Sequence, residues 1–180
     1  MPSRAAPMVA LAASWLLGCS PHPAATARDG SASAATHLKP MATGVAEPAI
    51  RRTVYVPVYS SISLGTGVKQ STAELSVTMS VRNVSRRHPL LLSRVAYYDS
   101  AGALVRQYLS QPGELAPLAT VEFIVLQKDT AGGPGAKFLV SWEGPAGIDE
   151  PIVEAVMVGL AGNIGLAFTT SGRALTNDGP

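Results

Sequence analysis

Cys19 is the single cysteine among 180 residues, and Leu16-Leu17-Gly18 stand directly before it. That order suits one kind of chemistry, acylation of a thiol at a cleavage point. Apolar residues lead to a small glycine at the scissile bond, and the thiol can take a diacylglyceryl group. Cleavage then leaves Cys19 as the first residue, and its amine can accept a further chain such as palmitate. Two or three chains hold a protein stably at a membrane where one binds marginally.

The residues before Cys19 fit this reading. Arg4 supplies a positive start, and Ala5 to Leu17 form an apolar stretch broken only by Pro7 and Ser14. About a dozen apolar residues are too few for an ordinary spanning helix, which needs roughly 20. We therefore expect residues 1–18 to be a lipoprotein signal peptide and Cys19 to be lipidated. Ser20 follows, not an aspartate of the kind that retains lipoproteins in the inner membrane, so the expected address is the outer membrane, facing the periplasm.

Other chemistry-bearing groups are sparse. His88 is the only histidine after His37, and it precedes Pro89. No second histidine or cysteine accompanies it as a metal ligand, and no base other than His88 could activate a serine. Glu122, Glu143, Glu150 and Glu154 lack a spacing that pairs an acid with a base. Neither catalysis nor a metal nor a cofactor is expected. Asp129-Thr130-Ala131-Gly132-Gly133-Pro134-Gly135 is a glycine-rich loop, but it lacks the Lys-Ser/Thr and helix of a phosphate loop. Asp129, Thr130, Gly132 and Gly133, with Asp149 and Glu150 in the loop from Pro145 to Pro151, are the candidate partner-binding residues.

The fourteen basic and twelve acidic residues nearly cancel, and Arg4 leaves with the signal. Arg51-Arg52 and Arg86-Arg87-His88 are short clusters at strand ends, without the basic stripe that neutralises nucleic-acid phosphates. No nucleic-acid partner is expected.

These groups must be carried by strands. Residues 19–51 are rich in Pro, Ala, Ser and Thr without an apolar period, and read as a flexible tether in which His22 and His37 are solvated. From residue 52 to 173 the pattern is β throughout. Val54, Val56 and Val58 alternate with Tyr55 and Tyr59, and Pro57 favours an edge or a bulge. Ser63 to Gln70 reads as a loop. Thr72 to Asn83 alternates most clearly, with Leu75, Val77, Met79 and Val81 on one face. Leu90–Tyr98 and Ala103–Leu109 form a hairpin across Asp99-Ser100-Ala101-Gly102. Further strands are expected over 121–127, 137–143, 152–160 and 164–170, with a polar, disordered tail over 174–180.

About eight strands without an amphipathic helix predict an all-β, two-sheet antiparallel sandwich of immunoglobulin-like type. Its expected core is Leu75, Val77, Met79, Val81, Val95, Tyr97, Phe123, Val125, Phe138, Val140, Trp142, Val156, Val158 and Phe168.

Thr53-Val-Tyr-Val-Pro-Val-Tyr59, Tyr97-Tyr-Asp-Ser-Ala-Gly102, Leu115-Ala-Pro-Leu-Ala119, Asp129-Thr-Ala-Gly-Gly133, Glu150-Pro-Ile-Val-Glu-Ala-Val-Met157 and Phe168-Thr-Thr-Ser-Gly-Arg173 occur in this order. In combination they resemble the bacterial family known as domain of unknown function 3124, over about Arg52 to Arg173. The resemblance implies no activity and no catalytic residue.

The expected function is therefore a membrane-tethered lipoprotein whose sandwich is a non-enzymatic binding or envelope-structural module, with an envelope protein as possible partner. The alternative is a periplasmic protein that binds a small ligand or lipid in an inter-sheet cavity, which Trp142, Phe138 and Phe168 would line.

Overall fold

The structure is a computed structural model that describes residues 37–40, 49–65 and 71–176. The expected signal, Cys19, His22 and most of the expected tether lie outside the described residues, as do residues 177–180 of the expected tail. Within the described residues the fold is an antiparallel two-sheet sandwich, as the alternation predicts.

The strands are β1 (Leu38–Pro40), β2 (Ile50–Pro57), β3 (Ser61–Leu64), β4 (Ser71–Arg82), β5 (Leu90–Tyr98), β6 (Leu104–Gln107), β7 (Gly113–Leu115), β8 (Thr120–Val125), β9 (Lys137–Gly144), β10 (Ile152–Ala161), β11 (Ile164–Ser171) and β12 (Arg173–Ala174). One sheet runs β1-β7-β5-β9-β2-β12, with β6 beside β7 on the same flank of β5. The other runs β11-β10-β4, and the far flank of β4 is shared by β3 and β8.

The period-two pattern of β4 survives intact: Leu75, Val77, Met79 and Val81 are all fully buried. They meet Val54, Val56, Val95, Tyr97, Phe138, Val140 and Trp142 of the opposite sheet in one core. Each buried aliphatic side chain of this size stabilises the fold by about 1.5–3 kcal/mol. A bulge in β5 between Leu92 and Arg94 switches its parity, so Leu90 and Leu92 point inward before it and Val95 and Tyr97 after it.

Pro57 occupies an edge stretch, as its missing donor requires. Val58 donates to Ala136 at 2.9 Å, so the odd-numbered amides of β2 face away from β9. On that flank β12 pairs with Val54 and Tyr55 and stops short of Pro57.

Several expectations are corrected. The inward residues of β10 are Val153, Ala155 and Met157, whereas Val158 is exposed and Val156 only partly buried. Both parities of this strand are apolar, so periodicity alone left the register open. Phe168 packs at the margin of the core, edge-on to Tyr59 with ring centres 5.7 Å apart. Ser63 and Leu64 belong to β3, not to a loop, because Ser61–Leu64 pair with Ser71–Glu74. Within the expected tether, Leu38–Pro40 pair with β7, and Leu38 packs on the core. His37 is exposed, as expected. Ala174 pairs with Val54, and the Leu175 amide donates to the Thr53 carbonyl at 2.8 Å, so ordered structure continues past residue 173.

Candidate functional site

The glycine-rich loop joins the end of β8 to the start of β9, and its polar groups are engaged within the fold. Asp129 accepts from the Arg106 guanidinium at 2.8 Å. Arg106 also donates to the Tyr108 hydroxyl, which itself donates to the Ile124 carbonyl at 2.9 Å. The Thr130 carbonyl accepts from the Gly133 amide. That amide also donates to the Ser60 hydroxyl at 2.8 Å, and the Gly135 amide donates to the Ser100 hydroxyl at 2.9 Å. The Gly132 carbonyl accepts from both the amide and the hydroxyl of Ser100. An anion-binding nest needs free converging amides, and here those of Gly133 and Gly135 are bound to serine hydroxyls.

Beneath this loop lies Tyr97, fully buried, with a hydroxyl that has no hydrogen-bond partner. Burial pushes its phenol above the ordinary range. The nearby Ser60 hydroxyl pulls the other way, although it lies outside hydrogen-bonding geometry. Burial likewise raises Tyr108, opposed by its contact with Arg106. The Tyr97 ring packs on Phe138 at 5.0 Å, and Tyr108 contacts both Phe138 and Phe123 at 5.6 Å. Of the residues expected to line an inter-sheet cavity, Phe138 and Trp142 are buried in this packed core, and Phe168 sits apart at its edge.

Asp149 and Glu150 are exposed in the loop from β9 to β10, at the opposite end of the sandwich. A single strand, β9, separates the two candidate loops, so they do not form one surface. At this second end the buried Asn83 amide donates to the carbonyls of His88, Leu115 and Ala116 at 2.9–3.1 Å, tying two loops together. Its own carbonyl oxygen accepts from the Ser85 amide. Arg86, Arg87 and His88 are exposed on the loop so anchored. Leu118, also exposed, has φ of 59°, a left-handed conformation that leucine rarely adopts.

The most conspicuous surface was missed by sequence reasoning. Ile152, Val158, Leu160 and Ile164 of β10 and β11 are 48–67% exposed. The first three share the outer face of the sheet, where Val158 lies opposite Ala167 and Ser76. Two signals could have found it. Glu154 shares parity with Ile152, Val156 and Val158, marking that face as solvent-side. Gly159 lies inward, where a β-carbon would stand 2.5 Å from the Leu75 side chain.

No curated protein matches this chain. Among solved structures, it is similar to the crystal structure of Thermotoga maritima 1070, with 11% identity, 68% of this chain and 92% of that chain covered, and a TM-score of 0.40. The model of the family described as "Protein of unknown function (DUF3124)" matches residues 51–175, which takes in nearly the whole sandwich, and the chain belongs to that family.

Proposed function

We propose that this protein is a lipoprotein held to the cell envelope through acylated Cys19, and that its sandwich is a non-enzymatic binding module with the outer face of β10 as its partner-facing side. The observation that carries the binding surface is Ile152, Val158 and Leu160, large apolar side chains left in solvent on the outer face of β10. Single exposed apolar residues are ordinary, whereas neighbouring ones mark contact surfaces. The glycine-rich loop supports the same reading, since Asp129, Gly133 and Gly135 are used to hold strands together.

The anchor rests on the order Leu16-Leu17-Gly18-Cys19. Mass spectrometry of the protein purified from membranes tests it. The expected N-terminal peptide begins at Cys19 and carries diacylglycerol, and Cys19→Ser leaves the membrane fraction. A free thiol at Cys19 in the membrane-bound protein would overturn the anchor. For the surface, Val158→Glu with Leu160→Glu is expected to abolish crosslinked species in cells while the protein stays folded. Retention of every species would remove β10 from the reading.

A further inference from the structure

The geometry points to a second copy of this chain as the partner, joined by antiparallel pairing of β11 with itself. This goes beyond the reading of the outer face of β10 as a binding surface, because pairing along the free edge of β11 leaves Ile152, Val158 and Leu160 uncovered.

Sheet edges template further pairing unless they are short, charged or interrupted by proline. Among the described residues, the other free edges have such features. β1 is three residues long with Lys39 and Pro40, β12 is two residues with Arg173, β6 is four residues with Arg106, and β3 is four residues long. β8 carries Glu122. In contrast β11, Ile-Gly-Leu-Ala-Phe-Thr-Thr-Ser, runs eight residues without a charge or a proline.

The register identifies the groups left over. Gly172 donates to the Val153 carbonyl at 2.7 Å, continuing the β10–β11 ladder by one position. Ladder bonds in an antiparallel pair involve alternate residues. The even-numbered residues of β11 therefore bond to β10, and Gly165, Ala167 and Thr169 turn their amides and carbonyls to the open edge.

Two features favour a copy of the same strand over a foreign peptide. An antiparallel strand can meet itself about a two-fold axis, and an uncharged one does so without repulsion. A foreign strand is selected through pockets for alternate side chains. Here the outer face of β11 offers Gly165, Ala167 and Thr169, which are small, while Leu166 and Phe168 sit half-buried on the inner side. Pairing sets Leu166 and Phe168 beside their apolar copies and joins two five-stranded sheets into one.

The test places a photo-crosslinking amino acid at Ala167 of the full chain in its native membranes, with products identified by mass spectrometry. The expected product is a dimer of this chain. It is lost on Thr169→Pro, which removes an outward amide without breaking a bond to β10, and on Thr169→Lys, which keeps every backbone donor and adds a charge. A dimer that persists in the folded Thr169→Lys protein would overturn the proposal. A crosslink to a different protein would also overturn it and leave the binding-surface reading standing. A crosslink to residues 20–36 of the same chain, or none, would overturn it as well.

Discussion

Gly132 and Tyr97 compete for one space. A β-carbon on Gly132 would lie 1.8 Å from the Tyr97 phenolic oxygen and 2.6 Å from the ring carbon that bears it. Gly132 does not take the left-handed backbone conformation of Gly133 beside it. Its requirement is for room. The absent side chain lets the glycine-rich loop settle on the buried tyrosine, with the Gly132 carbonyl held by Ser100 at 2.9 and 3.0 Å.

Gly132→Ala is therefore expected to destabilise the sandwich by about 1–3 kcal/mol, the cost of overpacking a close-packed site. Combining it with Tyr97→Phe should recover part of that loss, because the nearest clashing atom is gone. Urea denaturation of the two single variants and the double variant checks this as a cycle. Strict additivity would show that the two residues do not share the strain.

Tyr97→Phe alone should raise stability by about 1 kcal/mol, since it deletes a buried hydroxyl without a hydrogen-bond partner and leaves the ring in place. It should also blunt alkaline unfolding. Burial raises the phenols of Tyr97 and Tyr108 above the ordinary phenol value of about 10. Above that pH the unfolded chain releases protons that the folded chain still holds, so stability falls as pH rises. Their contribution is complete below the unfolded value and is lost on the way up to the folded ones. Denaturation midpoints measured from neutral pH upward should fall more gently for Tyr97→Phe than for the natural chain.

Asn83→Ala should cost about 2–3 kcal/mol, because it leaves the carbonyls of Leu115, Ala116 and His88 without the amide that joins them. Loss of the loop tie adds a second signature. Amide exchange should quicken at Ser85, Arg87 and His88, whose amides donate to the side-chain oxygens of Asn83 and Ser85. Unchanged exchange there would reduce Asn83 to one polar contact among many.

Strands whose faces differ in polarity were legible. β4 opposes Leu75, Val77, Met79 and Val81 to Ser76, Thr78 and Ser80, and its orientation follows from that contrast alone. The Asp99-to-Gly102 turn was equally plain, with Gly102 at φ of 87° and Asp99 accepting from the Ala103 amide at 2.8 Å. β1 and β12 were not legible, because pairs of two or three residues depend on distant partners, Leu115 and Val54, rather than on a local period. The separation of the candidate loops was available in principle: one strand between two loops sends them to opposite ends. The open edge of β11 was not, since it depends on the order of strands across the sheet.

The register of β10 provides the sharpest test of that difference. Val158 and Met157 are neighbours in a run where both parities carry large apolar residues, and only Glu154 distinguishes the two faces. Met157 is fully buried in the core, opposite Val77 and Phe168, while Val158 is 48% exposed. Met157→Ala should then cost about 2–5 kcal/mol through lost burial and the cavity left behind. Val158→Lys should stay within about 0.5 kcal/mol, since its side chain faces solvent. Thermal denaturation of the two variants decides the matter, because a one-residue slip exchanges the inner and outer faces. If Val158→Lys unfolded the protein and Met157→Ala did not, the strand would have the opposite register. Ile152 and Leu160 would then belong to the core, and the apolar surface assigned to a partner would not exist.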